Sequence, residues 1–154
     1  MIIHHQPITG LEKITSPISP YSTLVEFYSA FNHQNFQQMK NNWLQSSEAS
    51  MSNPLGGLKR GWNEISNVYD KIFNGNANVY VEYYDYSIEA TDTMFYAAGR
   101  ERGFIESGKE KFELDIRTTR IYRFINNQWR QVHHHGSMDN PVVLAKYQSL
   151  VLEK

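Results

Sequence analysis

Three consecutive histidines, His133 to His135, lie inside the segment Trp129–Ser137 and are the residues of this chain best suited to chemistry. The segment predicts a β-strand, in which alternate side chains point to opposite faces. On that pattern one face carries Trp129, Gln131, His133 and His135, and the other carries Arg130, Val132 and His134. Which of the two faces looks into the protein stays open at the level of sequence.

Two histidines at this spacing can act as metal ligands or as proton acceptors. Their Cβ atoms would lie roughly 6–7 Å apart on a strand, and Asp139 is the conceivable third ligand of a metal site. We favour the alternative that these histidines bond to the backbone or to neighbouring side chains and help to close the sheet, so we predict no metal and no cofactor. For proton transfer, His133 and His135 are candidate bases because imidazole titrates near neutral pH. Asp85, on the same predicted strand face as Tyr83, is the carboxylate alternative.

The composition is that of one soluble globular domain. The chain has 154 residues, of which 40% are apolar, 14% aromatic and 20% charged. A formal net charge of −1 argues against a nucleic-acid-binding surface. The absence of cysteine excludes thiol catalysis, disulfides and thiolate metal sites. The sequence has no signal peptide and no apolar run of about 20 residues, so we expect a cytoplasmic protein without membrane contact.

The periodicity of apolar residues predicts helices in the first half of the chain and strands in the second. Helices are predicted over 21–33, 35–39, 62–73 and from Pro141 onwards, strands over 78–90, 93–106, 112–125 and 128–136, and a short hairpin around Trp43 to Met51. This order predicts an α+β fold in which a strongly curved antiparallel sheet wraps around three to four helices and leaves an internal pocket. Residues 1–20 are predicted to form a lead segment before a single domain over 21–154.

The order of these elements, with Pro54-Leu-Gly-Gly57 before the third helix, resembles the nuclear-transport-factor-two-like superfamily. That superfamily includes ketosteroid-isomerase-like and SnoaL-like proteins. Thr119-Arg120-Ile121-Tyr122, a turn, Trp129 and then Val132–Ser137 resemble the last hairpin of SnoaL-like domains and of the association domain of calcium/calmodulin-dependent kinase. The resemblance covers about residues 21–150. It implies a cone-shaped fold, a pocket between sheet and helices, and a homodimer packed through the sheet.

The resemblance also implies that Arg120 lies in the pocket, where it would anchor a ligand. Tyr122 would share its strand face, and Trp43 and Trp129 would supply walls. Arg102 and Tyr96, together on one face of the preceding strand, are further candidates for ligand binding. The alternative for Arg102 is an ion pair with an acidic residue across the strands.

Two hypotheses for function follow from these observations. The first is a small-molecule-binding SnoaL-like protein that catalyses proton transfer of the isomerase or cyclase type on a small carbonyl or carboxylate compound. The second is a non-catalytic module for dimerisation or ligand binding. Whether the protein is an enzyme stays open, because the fold hosts both kinds of function. The expected partners are a small organic ligand and a second copy of the chain, with no nucleic acid and no membrane.

Overall fold

The structure, a computed structural model, describes residues 1–152, which contain four helices and six strands. The helices are α1 (Pro20–Asn32), α2 (Phe36–Asn42), α3 (Gly61–Asn74) and α4 (Pro141–Leu152). The strands are β1 (Ser50–Ser52), β2 (Lys59–Arg60), β3 (Asn78–Ala90), β4 (Met94–Ser107), β5 (Glu110–Ile125) and β6 (Gln128–Ser137). The predicted α+β class is confirmed. No helix among these residues is long and apolar enough to cross a membrane.

The first two helices begin at side-chain caps that the sequence provides. The Ser19 hydroxyl accepts a hydrogen bond from the Ser22 backbone N–H at 3.0 Å, and Pro20 occupies the adjoining first position of α1. The Asn35 side chain accepts from the Gln38 backbone N–H at 3.0 Å in the same way at the start of α2. These caps fix where the two helices begin, and the buried residues of α1, among them Leu24, Phe27 and Tyr28, pack into the core.

The six strands form one curved sheet in the order β2-β1-β6-β5-β4-β3. The four long strands pair antiparallel, as the sequence predicts, and β1 adds to β6 in parallel. The short hairpin predicted around Trp43 to Met51 is wrong. Trp43 instead bridges to Gln131 of β6, and β1 pairs with β2 through Ser50 and Arg60.

A β-bulge in β6 reverses the facing of the histidines. Ile121 of β5 pairs with His133 and Tyr122 pairs with Gln131, so Val132 is an extra residue with no partner of its own. Beyond the bulge His134 turns to the buried face, whereas His133 and His135 turn to the outer face. The predicted common face for Gln131, His133 and His135 is therefore wrong, because regular alternation ends at Val132.

A second bulge lies in β3 at Asp85. Tyr84 pairs with Arg100 and Ser87 pairs with Ala98, so two residues of β3 stand opposite Gly99. Asp85 has φ 48 and is exposed, while the rings of Tyr83 and Tyr86 both turn inward and stack 5.1 Å apart. Asp85 thus does not share a face with Tyr83.

The first residues of the chain extend the sheet beyond β3. His4 and Tyr86 exchange backbone hydrogen bonds of 2.8 and 3.2 Å, and Ile8 exchanges bonds of 2.8 and 2.9 Å with Tyr83. The Ile8 side chain is fully buried, and the His4 ring stacks on Tyr86 at 5.0 Å. These contacts cover the edge of β3 where its own bulge interrupts the regular ladder.

Candidate functional site

A small cavity lies inside the cone, between the concave face of the sheet and helices α1, α3 and α4. Its volume is about 40 Å³. A buried water needs about 10–15 Å³ of such space, so the cavity has room for roughly three waters. Its polar lining consists of Arg120, Glu101, His134, Tyr69, Tyr147 and Asn53, and its apolar lining includes Phe27, Ile72 and Val81.

Arg120 is the buried cation of this cavity. It is 2% exposed, and its side chain donates from Nη2 to Glu101 Oε1 at 2.7 Å, from Nη1 to Gln131 Oε1 at 2.9 Å and from Nε to the Tyr28 hydroxyl at 3.3 Å. The guanidinium plane lies over the Phe27 ring, with Cζ 3.6 Å from the ring centroid. Burial alone would lower the pKa of Arg120, but Tyr28 and Glu101 outweigh it and hold this pKa well above its usual range. The residue is permanently charged.

Glu101 compensates that charge at the cavity wall. Its Oε1 accepts hydrogen bonds from Arg120 and from the Tyr28 hydroxyl, the latter at 2.6 Å. Neither of these bonds uses Oε2, so the second carboxylate oxygen is the one available to a guest. The two hydrogen bonds to Oε1 offset part of the cost of burying the two charges and hold them at a defined position.

His134 is the histidine that reaches the cavity. It pairs directly with Arg120 across β5 and β6, and its Nδ1 lies 3.3 Å from the Thr119 carbonyl oxygen. Burial, reinforced by the charge of Arg120, lowers the pKa of His134 well below 6.5. The ring is therefore neutral at physiological pH. Since a carbonyl oxygen can only accept, Nδ1 carries the proton and Nε2 is the basic nitrogen.

A second layer of polar side chains is connected to Arg120 through Gln131. The Tyr122 hydroxyl donates to Asn42 Oδ1 at 2.9 Å, and Gln131 Nε2 donates to the same oxygen at 3.4 Å. The indole N–H of Trp43 donates to the Tyr69 hydroxyl at 3.2 Å, and burial raises the pKa of Tyr69 far above its usual range. Trp43 and Tyr122 are fully buried here, so they support the cavity without lining it.

The predicted catalytic residues lie away from this cavity. His133 donates to or accepts from the Ser50 hydroxyl at 2.7 Å on the outer face, and His135 is exposed beside it, with ring centroids 6.5 Å apart. Asp85 is exposed at the β3 bulge, 3.8 Å from His5. Asp139 pairs with Arg117 at 3.0 Å. Among residues 1–152, no group of three or more histidine, aspartate and glutamate side chains is arranged to hold a metal ion.

Of the predicted ligand-binding residues, the structure brings only Arg120 to the cavity lining. Arg102 lies on the outer face, where it donates to Glu82 at 2.7 Å and stacks over Tyr84 at 4.3 Å, and Tyr96 is 41% exposed on the same face. Trp129 lines a different cleft near the β5–β6 turn. The alternative reading of Arg102, an ion pair across strands, matches its placement.

Sequence reasoning missed Glu101, His134 and Tyr28 as residues of the cavity network. A signal for Glu101 was present, since it shares its parity in β4 with the apolar residues Phe95, Ala97 and Ile105. A carboxylate in an apolar alternation predicts a buried, partnered charge. No comparable signal existed for His134, whose facing depends on the bulge at Val132.

Comparisons with known proteins agree with this architecture. A family model for the SnoaL-like domain matches residues 21–141. No curated protein matches the chain. Among solved structures, a candidate calcium/calmodulin-dependent protein kinase type II association domain from Thiobacillus denitrificans shares 21% identity with a TM-score of 0.65, covering 80% of this chain and 97% of that one.

Two further structures have the same fold. A nuclear transport factor 2 (NTF2-like) superfamily protein from Salmonella enterica serovar Typhimurium shares 19% identity, with a TM-score of 0.67 and coverage of 75% and 84%. A ketosteroid isomerase-like protein from Erwinia carotovora atroseptica shares 11% identity, with a TM-score of 0.67 and coverage of 83% and 100%. The family model covers most of the chain, and the cone-shaped fold is the one seen in nuclear-transport-factor-two-like structures, so this chain is a member of the SnoaL-like family.

Proposed function

We propose that this protein binds a small, uncharged carbonyl compound in the cavity at Arg120 and Glu101. The observation that carries the proposal is a compensated ion pair that faces an internal space in an apolar core. Remaining N–H groups of Arg120 can donate to a carbonyl oxygen, and Glu101 Oε2 can accept from a hydroxyl or an N–H of the same molecule.

The charge balance of the site selects against a carboxylate ligand. Arg120 is neutralised by Glu101 at 2.7 Å, and His134 is neutral because burial lowers its pKa. A carboxylate in this space would meet the Glu101 charge without a free cation to offset it. Of the two ligand classes predicted from the sequence, the carbonyl class is therefore the better supported.

The size of the cavity sets an upper limit on the size of the ligand unless the last helix, α4, moves. Ligand sites for drug-sized molecules occupy about 300–1,000 Å³, far above the roughly 40 Å³ present here. Tyr147 of α4 forms part of the wall, and α4 is tied to the body by a bond from Gln148 Nε2 to the Pro54 carbonyl at 2.9 Å. A ligand of a few non-hydrogen atoms fits directly, and a larger one enters by displacing α4.

A second candidate function, proton-transfer catalysis, is favoured by the neutral imidazole of His134. In this reaction Nε2 takes a proton from the carbon next to the ligand carbonyl, and the electron pair moves onto the carbonyl oxygen. Arg120 donates a hydrogen bond to the enolate oxygen, and the proton taken up by His134 supplies the positive charge that offsets the enolate. Return of the proton to a different carbon completes an isomerisation without a cofactor. A structure described as ketosteroid isomerase-like shares the fold, which supports testing this class of reaction.

We propose in addition that two copies of the chain associate through the outer face of the sheet. That face carries Tyr84, Tyr96 and Phe104, with Arg102 stacked on Tyr84 and Lys111 stacked on Phe104. Native mass spectrometry of the wild-type protein and of Tyr96→Glu tests this association. A monomer for the wild-type protein would overturn it.

The ligand proposal is tested by an NMR titration with hydroxyacetone, which has one carbonyl and one hydroxyl, and with acetate as the charged control. We expect shifts at Arg120, Glu101 and His134 with hydroxyacetone, and at least tenfold weaker binding of acetate. In Glu101→Gln the preference reverses, because Arg120 loses its counter-charge. Equal binding of both probes to the wild-type protein, or no change of preference in Glu101→Gln, would overturn the assignment.

A further inference from the structure

A second site lies where the β5–β6 turn meets α1, α2 and the lead segment. This cleft has a volume of about 360 Å³ and opens to solvent. Its walls include Pro17, Ile18 and Trp129, and its charged groups are Glu26 and Arg130. None of these residues lines the Arg120 cavity, so the cleft is separate from the site of the proposed function.

Glu26 is a half-buried carboxylate without a compensating partner. Within residues 1–152 its carboxylate makes no hydrogen bond and no ion pair, although seven other carboxylates of the chain do form ion pairs with arginine, lysine or histidine side chains. Burial raises the pKa of Glu26, and Arg130 offsets part of that effect. An incompletely solvated carboxylate favours a cationic or hydrogen-bond-donating guest.

Arg130 is near Glu26 but is held by other acceptors. Its guanidinium donates to the Asn41 backbone carbonyl and to the Gln128 side-chain oxygen, and within residues 1–152 it forms no ion pair with Glu26. Arg130 therefore leaves the Glu26 carboxylate available to a guest in the cleft. Its positive charge also disfavours a guest with more than one positive charge.

Trp129 supplies the aromatic surface beside that carboxylate. Its ring is fixed by an edge-on contact with Phe95 at 4.9 Å and a tilted contact with Phe124 at 4.9 Å. The ring is half-buried, so part of it remains available in the cleft. Tryptophan is the aromatic side chain that binds cations most strongly, and Pro17 and Ile18 add apolar surface.

We propose that this cleft binds a small organic monoammonium compound, with its nitrogen at Glu26 and its apolar body against Trp129 and Ile18. A metal ion is a poorer match, because the cleft supplies a single carboxylate and its other charged group is the cation Arg130. The volume of the cleft is within the range of small-molecule sites.

The test is an NMR titration of the wild-type protein with 2-phenylethylammonium chloride, with 2-phenylethanol as a neutral control of the same body. We expect amide shifts at Ile18, Trp129 and Arg130, and at least tenfold weaker binding of the alcohol. Glu26→Gln should lose the ammonium preference, whereas Glu110→Gln, an exposed carboxylate on β5, should keep it.

Three outcomes would overturn the proposal. One is equal affinity for the amine and the alcohol, and another is unchanged amine binding by Glu26→Gln. The third is a set of shifts at the Arg120 cavity in place of the cleft. Folding of each variant is checked by its melting temperature, so a lost site is distinguished from an unfolded chain.

Discussion

Arg120 and His134 stand directly opposite each other on β5 and β6, and the charge of the first helps to keep the second neutral. A permanently charged guanidinium and an uncharged imidazole thus share one buried wall. This pairing combines the two properties that proton transfer next to a carbonyl needs, namely an anion stabiliser and a base.

Because His134 is neutral in the folded protein, the free energy of unfolding depends on pH. Its pKa in the folded protein lies below the ordinary value of 6.5, so below that value the unfolded chain binds more protons than the folded one. The contribution is complete above about pH 6.5 and is lost as the pH falls toward the folded-state pKa. The loss has a limiting slope of about 1.4 kcal/mol per pH unit. Urea unfolding between pH 8 and pH 5 should show it.

The matched variants for that measurement are His134→Gln and His135→Gln. The first should remove the share of the pH dependence that His134 contributes, and the second should leave that share intact because His135 is exposed. A wild-type profile parallel to that of His134→Gln would contradict the assigned neutral imidazole.

The Arg120–Glu101 pair should behave as one unit. Replacing Arg120 alone with methionine leaves the Glu101 carboxylate buried without a counter-charge, and we expect a loss of about 3–5 kcal/mol in the free energy of unfolding. The double variant Arg120→Met with Glu101→Met should regain most of that loss. Chemical denaturation of the four proteins of this cycle gives the coupling energy, and simple additivity would show that the pair is not coupled.

Tyr28 should contribute through its hydroxyl group. This group donates to Glu101 at 2.6 Å and accepts from Arg120 at 3.3 Å. Tyr28→Phe leaves both partners buried with one bond fewer, so we expect a destabilisation of about 1–3 kcal/mol. Tyr21→Phe, which changes an exposed tyrosine outside the proposed dimer face, is the control and should stay within about 0.5 kcal/mol of the wild type.

Gly99 should tolerate no side chain. A Cβ at this position would lie 2.5 Å from Tyr86 Cβ and 2.8 Å from its Cα, because the bulge of β3 presses two residues against it. We expect Gly99→Ala to lower the melting temperature and to shift the aromatic NMR signals of Tyr83 and Tyr86. Ala98→Ser, one residue away on the opposite strand face, should change neither.

The sequence predicted the long elements and Arg120 because both depend on regular patterns. Apolar periodicity and turn residues marked α1, α3 and the four long strands, and the Thr-Arg-Ile-Tyr stretch marked Arg120. No regular sequence pattern marks the two bulges. Because of them, the residues predicted to be catalytic lie outside the interior of the protein. The predicted facing of His133 and His135 assumes regular alternation of side chains along β6, which ends at Val132. The predicted facing of Asp85 assumes the same alternation along β3, which ends at Asp85 itself.

The pairing of β1 with β6 was also beyond local prediction. β1 has three residues, and its parallel contact with His133 to His135 joins parts of the chain that are far apart in sequence. Short strands of this kind are selected by tertiary packing more than by propensity. The same applies to residues 1–8, whose bonds to Tyr83 and Tyr86 have no local signature.

The extra residue at Val132 has a consequence for comparing relatives of this chain. In a homologue that lacks the extra residue at Val132, the strand keeps regular alternation. If that homologue is aligned without a gap, the residue aligned with His133 faces the interior and the one aligned with His134 faces solvent. Any alignment that leaves out a one-residue gap at this point equates residues of opposite orientation. Catalytic assignments transferred along the histidine triplet are valid only between chains with the same number of residues between Trp129 and Gly136.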